Sequence, residues 1–239
     1  MKSIQASCFI SYSIIENVYL VKLCEAMRTS FQKTKDLLTF PIRAFSIFHR
    51  DRWGLSSLAT ERFDYVSQAV RGYCLDVGCG RHNRFVKEFL KDNGKGIDLF
   101  AYEGLTDENL VTSLEKFPFP DKSFDSVTFI ACINHVPEAL RLKELKEAFR
   151  VLRPHGNVIV TMGNPLAELA VHQVVWFYDK LFGTDYDMDT ERGMEEGEEY
   201  FLTDVTIRAL LEGAGFTKIE KRWFLTQWGL NHLLIGWKK

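Results

Sequence analysis

The sequence predicts an α/β fold built on a mostly parallel sheet, with helices on both faces. Three observations predict it. From Tyr73 onward, short apolar runs rich in β-branched residues alternate with segments of helical spacing, the pattern of strands joined by crossover helices. The first such run, "YCLDV", passes directly into a Gly-x-Gly turn, "GCG", and an acid, Asp98, stands twenty positions after Gly78 at the end of the next strand. The last two apolar runs, on either side of "TQWGLN", read as an antiparallel hairpin.

The elements follow in order. "ASCFISYSIIENVYLVKLC" reads as an amphipathic helix packed on the main domain. Glu16, Asn17 and Lys22 interrupt it, so it lacks the roughly 18 clean apolar residues of a spanning helix, and no small-x-small cleavage site follows a continuous apolar stretch. Pro41 breaks the next region, and "FPIRAFSIFHRDRW" interleaves large apolar and basic residues. "SLATERFDYVSQAV" has helical spacing, with Leu58, Phe63, Val66 and Val70 on one face, and stops at Gly72. "YCLDV" is a buried strand, "RFVKEFLKD" an amphipathic helix and "GKGIDLF" a second strand. The turn "FPFPDKS" opens a third strand, "SFDSVTFIACI". "EALRLKELKEAFRVL" is a helix with Leu140, Leu145, Ala148, Phe149 and Leu152 to one side. "RPHG" stops it, and "NVIVTMG" is the next strand. After Pro165 come an apolar helix, "LAELAVHQVVWFYDKLF", and a loop with eight acids and one Arg, "GTDYDMDTERGMEEGEEY". "TDVTIRALLEGAGF" is a helix with Thr203 as N-cap and Gly213 or Gly215 as its stop. The expected division is a helical cap or extension over 1–56 and a main domain over 57–239, with a cap insertion at about 165–200.

Composition narrows the function. The chain has 239 residues, 46% of them apolar, and a formal net charge of -2, which excludes a disordered class and offers no global field for nucleic acid. Charge is therefore local: residues 1–50 hold seven basic and three acidic residues, a net of +4. Five cysteines, Cys8, Cys24, Cys74, Cys79 and Cys132, are scattered without metal-ligand spacing. They read as free thiols in a reducing, cytoplasmic compartment, with no metal expected.

The glycine turn poses the chemical question. Gly78 and Gly80 let a ligand approach the backbone, and the helix after them offers free N–H groups. Asp98 can accept both hydroxyls of a ribose. A dinucleotide site would want a third glycine at position 83, where Asn83 stands. Asp76, just before the turn, would repel a pyrophosphate but suits a cation such as an ammonium or a sulfonium. The ligand indicated is S-adenosylmethionine rather than NAD.

"LDVGCG", "GIDLF", "LEKFPFPDKSFDSVTFIACINHVPE" and "AFRVLRPHGNVIVT" resemble the successive motifs of class I S-adenosylmethionine-dependent methyltransferases. The likeness is to the branch with quinone-biosynthesis C-methyltransferases and many small-molecule and lipid enzymes. It covers about Tyr73 to Gly163, plus "LLEGAGF". The resemblance implies a Rossmann-like, seven-stranded, mostly parallel sheet with helices on both faces and a C-terminal antiparallel hairpin. It implies that Gly78, Cys79 and Gly80 cradle the methionine part, with Asp76 near its ammonium. Asp98 would bind the ribose and Leu99 flank the adenine. Ser113 and Leu114 match the adenine-touching pair, with Ser113 in place of the usual Asp. Cys132 and Ile133 would line the cofactor near the transferred methyl. His82 stands where the family often has glycine.

Methyl transfer needs orientation and a dry site, and needs a base only if the acceptor loses a proton. His135, after the third strand, is the candidate base or acceptor-positioning group; packing against the next helix is the other reading. His172 and Tyr178 could face substrate or belong to a core stripe. Phe45, Phe48 and Trp53 could wall an acceptor, with Arg50 and Arg52 meeting an anion, or the segment from Arg43 could be a docked helix with solvated arginines. The acidic loop reads as a solvated lid. The expected function is S-adenosylmethionine-dependent methyl transfer to a small-molecule or lipid-like acceptor. The alternative is a catalytically inactive, methyltransferase-like partner or S-adenosylmethionine-binding protein, suggested by His82 and Ser113. A nicotinamide-dependent oxidoreductase ranks below both. Nucleic acid is not an expected partner, because "CINH" stands where amino-methylating nucleic-acid enzymes carry an "NPPY"-like tetrad. Residues 1–50, mixing apolar and basic side chains, could make peripheral membrane contact.

Overall fold

A computed structural model describes residues 29–45, 51, 53–164, 180–181, 199 and 201–239. The first predicted helix, the apolar helix after Pro165 and most of the acidic loop lie outside the described residues, as do His172, Tyr178, Phe48, Arg50, Arg52 and the side chain of Phe45.

The described helices are α1 (Ser30–Phe45), α2 (Leu58–Ser67), α3 (Glu138–Val151) and α4 (Asp204–Ala214). The strands are β1 (Cys74–Val77), β2 (Gly94–Ile97), β3 (Phe124–Ile130), β4 (Leu152–Gly163), β5 (Thr217–Trp223) and β6 (Asn231–Trp237). They form one six-stranded sheet in the order β2-β1-β3-β4-β6-β5. The β2, β1, β3 and β4 strands are parallel. β6 runs antiparallel to both β4 and β5, so the C-terminal hairpin is present and its second strand is the inner one.

Six described strands, rather than seven, make the sheet. Beyond β2 the chain adds a single parallel bridge, Asp98 to Leu110, closed by Asp98 N donating to Asn109 O (2.8 Å) and Val111 N donating to Asp98 O (3.0 Å). The intervening "AYEGLTDEN" turns repeatedly and carries too few β-formers to extend this bridge into a strand.

Strand alternation sorts two cores. Leu75, Val77, Val158, Val160 and Leu234 face a cluster with Leu145 and Ala148 of α3 and Ile207 and Leu211 of α4. Their neighbours Cys74, Ile159, Leu233 and Ile235 face the opposite cluster, with Val66 of α2 and Phe85. Helices thus cover both faces. Thr203 caps α4 through Thr206 N (3.2 Å), and Gly215, at φ 104°, is its C-cap.

Three local expectations change. Pro41 does not break the chain; it lies inside α1. The carbonyl it leaves unpaired, Leu37 O, instead accepts the indole N–H of Trp228 at 2.9 Å, which offsets the lost helix bond. "RFVKEFLKD" is not an α-helix. It forms a π turn, Phe85–Phe89, entered from a 3-10 turn just before it, Arg81–Asn83, where His82 (φ 63°) and Asn83 (φ 48°) are left-handed. "RPHG" ends α3 but belongs to β4, which begins at Leu152.

The arginine of the basic-aromatic segment that the structure describes is not solvated. Arg43 is fully buried, pairs with buried Glu61 of α2 at 2.9 Å, and donates to the carbonyls of Ser56 (2.8 Å), Asp36 (2.6 Å) and Thr226 (3.2 Å). Trp53 is exposed. No helix among the described residues is long and apolar enough to cross a membrane.

Candidate functional site

The carboxyl ends of β1, β2 and β3 meet at one edge of the parallel sheet, where open α/β sheets place their ligands. β1 ends in the Gly78–Gly80 turn. Gly78 N and Cys79 N both donate to Ile97 O, at 2.9 and 3.1 Å, which ties the turn to the end of β2. Gly78 (φ 73°) has no room for a side chain, since a Cβ there would lie 2.9 Å from Cys132 Cβ. Gly80 (φ 62°) is different: a Cβ there would meet nothing within 4 Å, so the turn opens onto free space.

Two carboxylates flank this opening. Asp98 is buried, and both its oxygens are oriented by backbone: Gly80 N donates to Oδ2 (2.9 Å) and Phe100 N to Oδ1 (3.0 Å). Each oxygen keeps a lone pair for a further donor. Asp76 is the third residue of β1, with Gly96 on one side and Thr128 on the other. Thr128 Oγ1 donates to its Oδ1 at 2.6 Å. Burial pushes the Asp76 carboxyl from 3.8 up to about 7, the Thr128 bond opposing and the charge of Asp98 adding to the rise. A buried carboxyl this reluctant to ionise gains most from a bound cation.

β3 supplies the third wall. Ala131 is left-handed (φ 52°) although it is not glycine, and its N–H donates to Thr161 Oγ1 (2.9 Å); backbone strain of this kind gathers at ligand sites. Cys132 Sγ donates to Val77 O (3.1 Å), so this residue packs on the start of the glycine turn. Burial pushes its thiol well above the ordinary range, as it does for Cys79, and both are inert as nucleophiles. Ile133 is buried in the main core, and His135 ends the 3-10 turn Ile133–His135, half-buried. Leu99 is exposed beside Asp98. Leu114 is a core residue, whereas Ser113 is exposed and its Oγ accepts from Glu115 N at 3.1 Å. Among the described residues, no three His, Cys, Asp or Glu gather as a metal site.

Sequence reasoning missed three residues here. Thr128 holds Asp76. Arg141, buried on α3, donates to Val136 O (2.8 Å) and pairs with Glu199 (2.8 Å), bracing the turn that carries His135. Glu144 is a buried carboxyl on the inner face of α3. Helical spacing from Leu145 and Ala148 was the available signal for the last two, since Arg141 and Glu144 lie on the same side.

A family model described as a methyltransferase domain matches residues 49–221. Curated relatives include the ubiquinone/menaquinone biosynthesis C-methyltransferases of Rickettsia bellii, 39% identical over 134 residues, and Rickettsia akari, 32% identical over 142 residues. The alignments cover 53% and 56% of this chain, and the chain spans about half the length of those relatives, 52% and 55%. Among solved structures, a SAM-dependent methyltransferase from Thermotoga maritima superposes with a TM-score of 0.52 at 18% identity, covering 75% of this chain and 88% of that one. The 1,6-didemethyltoxoflavin-N1-methyltransferase of Burkholderia thailandensis, solved with S-adenosylhomocysteine, gives 0.51 at 16% identity, covering 89% and 92%. These likenesses bear on the fold. The cofactor of the family is S-adenosylmethionine, and the residues present fit it: free space over Gly80, a fixed carboxylate at Asp98, and a buried carboxyl at Asp76 that a cation would stabilise. By the family match and the site geometry together, this chain belongs to the methyltransferase domain family.

Proposed function

We propose that this domain catalyses S-adenosylmethionine-dependent methyl transfer to a small-molecule acceptor of the quinone type. The observation that carries the reading is the pair of buried carboxylates, Asp76 and Asp98, at the ends of adjacent parallel strands on either side of the open Gly78–Gly80 turn. In this reading Gly78, Cys79 and Gly80 cradle the methionine part and Asp76 holds its ammonium. Asp98 takes the ribose hydroxyls. Leu99, Ser113 and Leu114 flank the base, and Cys132 and Ile133 border the reacting methyl. The cofactor supplies an activated methyl on a sulfonium, displaced in line by the acceptor. What the chain supplies is orientation and exclusion of water. In this reading His135 takes the proton that an aromatic acceptor releases. The quinone-type acceptor rests on what the Rickettsia relatives are named for. Residues 57–239 form the methyltransferase domain in this proposal, with residues 1–56 as its cap and an insertion at about 165–200.

Calorimetric titration with S-adenosylhomocysteine tests the reading. The full chain should bind in the micromolar range and Asp98→Ala should not, while NADH gives no heat with either. Absence of binding to the folded wild type would overturn it. Methyl transfer to a demethylated quinol, lost in Asp98→Ala, separates an enzyme from an inactive partner.

Peripheral membrane contact belongs to the same proposal. α1 exposes Phe31 (79%), Leu38 (74%) and Ile42 (61%), and a lipophilic acceptor resides in a bilayer. Co-sedimentation with anionic vesicles should fall in a Phe31→Ser, Leu38→Gln, Ile42→Gln chain; unchanged co-sedimentation refutes the contact.

A further inference from the structure

His82, which in the sequence points to an inactive site, takes a different place in the structure. A side chain beside the glycine turn could fill the ligand's space, and this one does not. No His82 atom comes within 4 Å of where a Cβ on Gly80 would stand. The ring lies instead on the loop that follows Asp98. A Cβ on Gly104 would be 2.1 Å from His82 Nδ1 and 2.9 Å from its Cγ, so the imidazole rests directly on the Gly104 backbone.

The main chain closes the same contact, with His82 N donating to Glu103 O at 2.7 Å. His82 Nε2 lies 3.8 Å from the Glu103 carboxylate, and Lys87 Nζ donates to Gly104 O at 3.4 Å. The ion pair is exposed on both sides and contributes little by itself. The ring contact and the backbone bond do the holding. Both partners are left-handed, His82 at φ 63° and Gly104 at φ 77°. For histidine that backbone is strained, and it persists where its neighbours hold it.

The clasp joins the two segments that orient Asp98. Gly80 N, in the glycine turn, donates to Oδ2, and Phe100 N, in the loop, donates to Oδ1. His82 follows Gly80 closely, and its partners Glu103 and Gly104 lie just beyond Phe100. We propose that His82 is a positioning residue for Asp98: by fastening the Glu103–Gly104 loop to the glycine turn, it holds the carboxylate in the orientation that receives the ribose hydroxyls. This rests on the methyltransferase reading above. The side chain that suggests a lost site from sequence then serves the site.

The test compares S-adenosylhomocysteine with its 2′,3′-dideoxy analogue, by calorimetry on the full-length wild type, His82→Gly and Gly104→Ala. His82→Gly removes the ring, keeps the backbone donor and relieves the left-handed strain, so it should fold. It should bind S-adenosylhomocysteine about three- to tenfold more weakly, the scale of ordering a loop side chain on binding. Its affinity for the analogue should equal that of wild type, because a ligand without ribose hydroxyls makes no use of the Asp98 orientation. Gly104→Ala, whose methyl would meet the ring, should show the same hydroxyl-dependent loss, and a much smaller one when combined with His82→Gly. If the single variants bind S-adenosylhomocysteine as well as wild type, or lose both ligands equally, the assignment of His82 is overturned while the cofactor stands. If the folded wild type does not bind S-adenosylhomocysteine, the methyltransferase reading fails and the assignment with it.

Discussion

Replacing Asp76 with Asn should stabilise the ligand-free protein and weaken its cofactor affinity. Burial moves the Asp76 carboxyl from 3.8 to about 7. At about 1.4 kcal/mol per pH unit, ionising it in the empty fold costs about 4 kcal/mol. Between 3.8 and about 7 the folded chain keeps a proton that the unfolded chain has released, so this group's contribution to stability falls as pH rises through that window and is flat above it. Asn cannot ionise and still offers Thr128 an acceptor. At pH 8 the variant should recover a share of the 4 kcal/mol. Half of it, about 2 kcal/mol, corresponds to a Tm higher by roughly 4–8 °C for a domain of this size. Near pH 4 the two melting temperatures should converge. Losing the carboxylate–ammonium interaction should weaken S-adenosylhomocysteine binding by about ten- to a hundredfold. Thermal melting across the pH series, with calorimetry at pH 8, reads both effects. A variant that melts lower than wild type at pH 8, or that binds the ligand as well as wild type, would refute the assignment of Asp76 as a strained cation acceptor.

The two glycines of the turn should separate. Gly80→Ala should cost about 1–3 kcal/mol, from a backbone (φ 62°, ψ -167°) that is essentially reserved for glycine, yet abolish S-adenosylhomocysteine binding. Gly78→Ala should lose more stability, because its Cβ would also press on Cys132; equal losses in denaturant melts would refute the distinction. Arg43→Met should cost about 3–5 kcal/mol by leaving the buried Glu61 without its arginine counter-charge, and Arg43→Met with Glu61→Leu should recover most of it, as urea titration would show. Trp228→Phe should cost about 1 kcal/mol through the lost bond to Leu37 O, and the cost should shrink when Pro41→Ala restores a backbone donor. A cost that is the same in both backgrounds would refute that compensation.

The strands were legible because their apolar runs are long and bounded by turn residues, as "SFDSVTFIACI" and "NVIVTMG" show. Asp76, Gly78, Gly80 and Asp98 could be placed because strand ends and glycine turns fix the backbone locally. What failed depended on partners distant in sequence. Nothing near Pro41 announces that Trp228 will donate to the carbonyl it orphans. Nothing near Arg43 announces a buried acid on the next helix. The 3-10 and π turns after the glycines follow from left-handed His82 and Asn83, which periodicity does not register. Glu144 was overlooked because a charged residue on a helix is read as solvated by default.

The ties between α1 and the β5–β6 turn carry a consequence for biosynthesis. Arg43 reaches Thr226 O, and Leu37 O waits for Trp228, across more than 180 residues of chain. On the ribosome, α1 emerges early with a proline-interrupted backbone and a guanidinium that has Asp36, Ser56 and Glu61 at hand while Thr226 is still untranslated. Its docking can be completed only when the C-terminal hairpin has been made and released from the exit tunnel. Until then α1 lacks the two bonds that tie it to that turn, one from the Arg43 guanidinium and one to Leu37 O.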